Sequence, residues 1–303
     1  MYERIIELIK EKKFVLLKEE LKEMRAADVA EAFDELDEKN TVILFRLLSK
    51  DAAAEIFSHL STQQRKNIVN AMHETQLNEI IDELFFDDRI DFFEEMPANF
   101  VKRILASSTE EERKLINQFL RYPENSAGSL MTIEYVDLKK EMTVKKALEH
   151  IKKIGVDKET IYTCYVLNEK RKLEGIVSLR KLVLFDEDLL ISNIMDNDFI
   201  AARTLDDQEE IANIFKKYDL LTVPVVDKEG RLVGIITIDD IVDVIEQENT
   251  EDFQRMAAME PSEEKYLHSG IFSLARRRIP WLLILMLSAT LTEGIIGRFQ
   301  DIL

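Results

Sequence analysis

Apolar residues in the first 122 positions recur three and four apart, with almost no glycine or proline between them. That period predicts helix after helix. The pattern also repeats at a longer range. "AEAFDEL" begins at Ala30, "AEIFSHL" at Ala54 and "NEIIDEL" at Asn78, a period of 24 residues, with a degenerate fourth copy near "KRILASS". Glu31, Glu55 and Glu79 align, as do Phe33, Phe57 and Ile81, then Leu36, Leu60 and Leu84. Short helices at such a period are expected to stack into a curved superhelix, each covering its neighbour's apolar face.

The breaker cluster "YPENSAGSL", Tyr122 to Leu130, ends this pattern. Beyond it, "TIYTCYVL" and "LLTVPVVD" are short, rich in β-branched and aromatic residues, and predict buried strands. "LEGIVSLRKLVL" and "LVGIITIDDIVDVI" each predict a strand, a turn and a helix; "TVKKALEHIKKI" and "DQEEIANIFKKY" predict helices before the strands. The block is duplicated, Met131 answering Met195 and Gly175 answering Gly234.

From Asp239 to about Pro261 the chain stays polar and helical, and Asp240, Asp243, Glu246, Glu248, Glu251 and Asp252 fall on neighbouring strips. Like charges at these spacings each destabilise a bare helix by a few tenths of a kcal/mol. A solvated helix tolerates that cost; a divalent cation removes it. After "ARRR" come nineteen mostly apolar residues, Ile279 to Gly297. At about 1.5 Å per residue they would cross the hydrocarbon core of a bilayer, with the arginine side cytoplasmic. Glu293 lies inside this stretch and calls for protein, water or the interface beside it.

Composition narrows the function. The net charge is −18, from 59 acidic and 41 basic residues, which argues against nucleic acid as a partner. The lone Cys164 sits in an apolar strand and excludes an intramolecular disulfide framework. The four histidines lack zinc spacing. No phosphate loop, nucleophile elbow or Ser, His and Asp arrangement appears, so no enzyme is expected.

"VLNEKRKLEGIVSLRKLV" and "VVDKEGRLVGIITIDDIVDVI" resemble a pair of CBS domains. With the helical block before them, "AGSLMTIEYV" at their start, the acidic helix after and "RRRIPWLLILMLSATLTEGII" beyond, the whole chain resembles the MgtE family of magnesium transporters. The resemblance implies a multidomain fold: an all-α helical-repeat superhelix (residues 1–127), an α/β CBS pair (128–192 and 193–245), a long connecting α-helix with its linker (246–274) and one transmembrane α-helix (275–303). It also implies that Mg²⁺ held among these cytosolic parts closes a pore. The matching positions make Glu55, Asp87, Asp91, Asp207, Glu209, Asp219, Asp240, Asp243, Glu248, Glu251 and Asp252 candidate metal ligands.

Arg180, Leu220, Val223 and Pro224 suit a nucleotide cleft, and ATP is a second candidate ligand. Lys181 and Thr163 weigh against it, because an acidic ribose ligand and a stacking tyrosine are expected there. The resemblance further implies a homodimer through the CBS pair, in the inner (plasma) membrane, with residues 1 to about 278 cytoplasmic. The chain is expected to be a fragment of such a transporter or half of a split one. The alternative reading is a membrane-anchored, CBS-pair nucleotide sensor acting on a separate protein; a purely structural adaptor built on the helical repeats is a third.

Overall fold

The 24-residue period is the repeat of a helix pair, not of a single helix. In the structure, a computed structural model describing residues 2–257 and 271–300, one series of helices comprises α1 (Tyr2–Lys10), α3 (Ala26–Asp34), α5 (Lys50–Ser58), α7 (Glu74–Ile81) and α9 (Ala98–Ser107). The other comprises α2 (Phe14–Leu21), α4 (Glu38–Leu47), α6 (Thr62–Ala71), α8 (Phe86–Glu95) and α10 (Glu110–Phe119). Each series starts every 24 residues, so there are five pairs where three copies and a degenerate fourth were expected. Part of the expected linker, residues 258–270, lies outside the described residues. The chain divides into two compact units, Met1–Asp206 with Thr222–Ile236, and Asp207–Leu221 with Thr237–Leu303.

The repeat is written in the core. Ile5, Val29, Ala53 and Leu77 are buried at one position, and Ile9, Phe33, Phe57, Ile81 and Leu105 at another. Helices of one series stack on the next of the same series, which buries these residues as a solenoid does. Rings thread the stack, Phe33 to Phe45, Phe45 to Phe57, Phe57 to Phe92 and Phe92 to Phe100, with centroids 5.2 to 6.4 Å apart. Arg65, Arg89 and Arg113 recur in the second series. Each donates to carbonyls where the preceding helix ends, Phe57 and Ser58, Asp82 and Leu84, and Leu105 and Ser108 respectively. The Phe57 and Leu105 carbonyls also accept the Leu60 and Ser108 N–H groups at 3.3 Å, and the guanidinium adds a second donor that reinforces each helix end.

After Tyr122 the chain makes two small sheets. The first holds β1 (Val136–Leu138), β2 (Thr163–Leu167) and β3 (Leu173–Ser178), with β1 parallel and β3 antiparallel to β2. The second holds β4 (Ala202–Arg203), β5 (Thr222–Val226) and β6 (Leu232–Thr237) in the same order. Short helices α11 (Ala127–Leu130) and α14 (Ile191–Ile194) precede the copies, and α12 (Val144–Ile154) and α13 (Leu179–Leu184) serve the first.

Each copy completes the other's sheet. Thr132 exchanges backbone hydrogen bonds with Ile235 at 2.8 and 2.9 Å, and Asp196 does so with Ile176 at 2.8 and 3.0 Å. Gly234 and Gly175 allow this approach. A Cβ on Gly234 would stand 2.8 Å from Met131 and from the Thr132 carbonyl; one on Gly175 would stand 3.0 Å from Met195 and the Asp196 carbonyl. The residues that mark the duplication are therefore those that join its halves.

In the second unit, α15 (Gln208–Tyr218) packs against α16 (Ile238–Met256). α16 is a single uninterrupted helix from the end of β6 to the acidic segment, with no break near residue 246. α17 (Ile271–Gln300) contains Arg278–Gly297, a 20-residue stretch of mean hydropathy 1.8 with none of it buried. Among the described residues it is the one helix long and apolar enough to cross a membrane. The hydroxyls of Thr290 and Thr292 donate to carbonyls of their own helix at 2.8 to 2.9 Å, so neither is left unsatisfied on this apolar surface.

Candidate functional site

Two hydrogen bonds set α15 against α16. The buried Gln208 side chain donates to the Glu248 carboxylate at 2.7 Å, and the Ile238 N–H donates to the Leu221 carbonyl at 3.0 Å. The helices therefore run antiparallel. Asp207 and Glu209, either side of Gln208, fall at the end where Glu248 lies, with Glu251 and Asp252 one turn further on. Asp219 falls at the opposite end, toward Asp240 and Asp243.

The local chemistry of these carboxylates differs. Asp207 caps α15, accepting the Glu209 N–H at 2.9 Å, and both acids sit at the positive end of that helix. Asp219 stands at the other end, where the helix dipole disfavours a negative charge, and its backbone is left-handed with φ of 51°. Glycine is the usual residue there. Lys216 and Lys217 in the last turn offset part of the cost. Asp240 accepts the Thr237 hydroxyl at 2.6 Å, and Glu251 pairs with Arg255. Asp243 and Asp252 face solvent.

In the helical domain, Glu55 is exposed on α5. Asp87 is half-buried and Asp91 exposed, one turn apart on α8. Sequence reasoning missed Glu94, the next acid on that strip. Loss of surrounding water, then the Glu124 carboxylate, raise its pKa from the ordinary value. It also missed Gln208, whose only signal was a polar residue on the apolar face of α15.

Among the described residues no three or more His, Cys, Asp or Glu side chains converge into a cation-sized cluster. Mg²⁺ keeps several waters and takes one or two carboxylates, so acids held in pairs on facing elements are a suitable donor set. A dehydrating, all-protein cage would not fit these residues.

The nucleotide candidates come from three parts of the chain. Arg180 is exposed on α13, Val223 and Pro224 are buried in β5, and Leu220 is half-buried after α15. The Lys181 ammonium donates to Asp196 at 2.6 Å and to the Ile194 carbonyl at 3.2 Å. Cys164 is buried, and its thiol is pushed up to about 12, so it remains protonated and unreactive at neutral pH.

A superhelix of helix pairs is followed on this chain by a reciprocal pair of small sheets, an acidic helix and an apolar stretch long enough to cross a membrane. Residues 24–125 match the model of the MgtE intracellular N domain, and residues 127–188 and 191–247 each match the CBS domain. The magnesium transporter MgtE of Thermus thermophilus is 37% identical over 95% of this chain and 64% of its own length. That of Bacillus subtilis is 31% identical over 99% of this chain and 66% of its own. The crystal structure of the cytosolic domain of the Mg²⁺ channel MgtE in complex with ATP superposes with a TM-score of 0.77 at 36% identity, covering 80% of this chain and 100% of that one.

The chain belongs to the MgtE family, whose members are membrane transporters. It spans about two thirds of the length of the curated relatives it matches.

Proposed function

We propose that this chain is the Mg²⁺-sensing gate and the first membrane span of an MgtE-type magnesium transporter, and that it closes the ion path when its carboxylates share Mg²⁺. The observation carrying this reading is Asp219, an acid kept at a left-handed, dipole-opposed position on α15 beside acidic α16. A hydrated divalent ion repays that cost, and with it the repulsion along α16. Such an ion favours whichever arrangement presents paired carboxylates, because its affinity for the two arrangements differs. Mg²⁺ is thus both cargo and signal.

The same reading places residues 1 to about 278 in the cytoplasm and α17 in the inner (plasma) membrane, since Arg276 to Arg278 precede the apolar stretch. It includes a homodimer formed through the CBS pair, for which the exposed Val183, Leu184 and Phe185 supply an apolar surface. Nucleotide control is a second reading, favoured by the ATP held by the solved relative and weakened by the Lys181–Asp196 pair.

The test is a titration of the full chain in detergent with MgCl₂, against KCl at matched ionic strength, read by limited proteolysis and small-angle scattering. Millimolar Mg²⁺ is expected to protect the chain and reduce its radius while K⁺ does neither, which separates binding from screening. An identical response to both salts would reject the gate.

A further inference from the structure

The first helix pair breaks the polarity of the repeat at one place. Val15 stands where the later pairs carry Lys39, Gln63, Asp87 and Glu111, and Leu16 where they carry Asn40, Gln64, Asp88 and Glu112. Every later copy is polar at both positions, in the first turn of its second helix. Here Val15 is 80% exposed and Leu16 39%, with Phe14 half-buried beside them. Stacking does not require these residues, since Leu17 and Leu21 are the ones that α2 buries.

The charge is inverted in the same turn. Between residues 10 and 18, Lys10, Lys12, Lys13 and Lys18 stand against Glu11 alone, all of them exposed, on a chain whose net charge is −18. Glu11 pairs with Lys13 at 2.8 Å. Lys13 holds the position before α2 where Asp37, Ser61 and Thr109 cap later helices, and its side chain supplies no acceptor. The first turn of α2 contains no acid, so a cation sits at the positive end of the helix. Lys12 is left-handed with φ of 57°, where glycine costs least. Val15, Lys18 and Lys22, three and four residues apart, share the strip of α2 opposite Leu17 and Leu21. Folding alone gives no reason for these choices.

We propose that the turn from α1 into α2 docks on an anionic lipid surface, with Lys12 and Lys13 against the headgroups and Val15 and Leu16 among the first acyl carbons. Apolar side chains on an exposed turn gain by leaving water, and the lysines around them add attraction to a negative leaflet. Two exposed apolar side chains fall well short of the roughly 800 Å² per partner that a stable protein interface takes. They are enough for a surface contact made by a tethered module, because the apolar stretch Arg278–Gly297 puts a bilayer on the same molecule and raises its effective concentration. The contact rests on α17 spanning a bilayer and not on the gate.

Hydrogen exchange of the full chain in nanodiscs of phosphatidylcholine, with or without phosphatidylserine, tests it. Residues 10–18 are expected to exchange several-fold more slowly in the anionic discs, while α4 exchanges alike in both. Lys12→Glu combined with Lys13→Glu should abolish the difference, and so should raised KCl, which screens the attraction. Val15→Gln combined with Leu16→Gln gives the first pair the residues of the third, Gln63 and Gln64. It should remove most of the slowing without lowering the unfolding temperature. Equal exchange in the two lipids, or slowing that survives the charge reversal, overturns the contact. Slowing that grows with protein concentration in either lipid assigns the turn to a second copy and overturns it too. A chain that enters neither disc rejects the span instead, and the contact with it.

Discussion

The two CBS copies share one topology, and they differ most in charge. α12 and α15 are each eleven residues long and occupy equivalent places in their copies. Thr143 caps α12 where Asp207 caps α15, and Lys145 stands where the second copy has Glu209. Gly155 follows α12 with φ of −69°, and Asp219 follows α15 in the left-handed region. After the last strand, Lys181 answers Asp240. Finally, α13 ends at Leu184 whereas α16 runs on to Met256. At four equivalent positions the first copy is neutral or basic and the second acidic. The first copy shows that the fold does not need those acids. Its glycine is where a side chain would meet Ile161 at 2.9 Å, while the left-handed position that suits glycine carries aspartate.

The sharpest challenge to the equivalence of the copies is at their joint. Gly234→Ala should destabilise the chain by about 2–3 kcal/mol and Gly175→Ala by about 1 kcal/mol, because each added methyl meets a methionine and a backbone carbonyl but comes closer to both at Gly234. The order follows from approach distances of 2.8 and 3.0 Å. Urea midpoints measure it, and equal losses would mean that the two joints are interchangeable.

Asp219→Gly tests the opposite sign. It removes a left-handed side chain and a charge at the wrong end of a dipole, so stability should rise by about 1 kcal/mol. Protection by Mg²⁺ should weaken at the same time. A variant that is more stable and equally responsive would assign Asp219 no part in the gate.

Lys181→Asp gives the first copy the charge of the second. Lys181 and Asp196 are 33% and 51% exposed, so solvent screens their pair. The loss should stay below about 1 kcal/mol in thermal unfolding, as for other exposed pairs. A larger loss would show that this ion pair, rather than the glycine joint, ties the linker to the first sheet.

Much of this was legible in the residues. "AEAFDEL" and its two echoes announced the superhelix, because stacked helices must bury the same positions in every turn of the stack. The first pair was overlooked although Glu7, Leu8 and Ile9 follow the pattern, since Lys12 replaces the leucine that closes the other copies. The partner helices were invisible as a series; they share the carbonyl-capping Arg65, Arg89 and Arg113 and little else at the surface. The acids of α15 and α16 could be named from sequence, but not their antiparallel pairing, which depends on Gln208 meeting Glu248 across 40 residues.

Equilibrium dialysis against Mg²⁺, with metal counted by atomic absorption, addresses the shared carboxylates most directly. The parent should retain Mg²⁺ at millimolar free concentration, and a variant with Asp207, Asp219, Asp240 and Glu248 changed to their amides should retain clearly less while unfolding no earlier. Equal metal on both proteins would contradict the account.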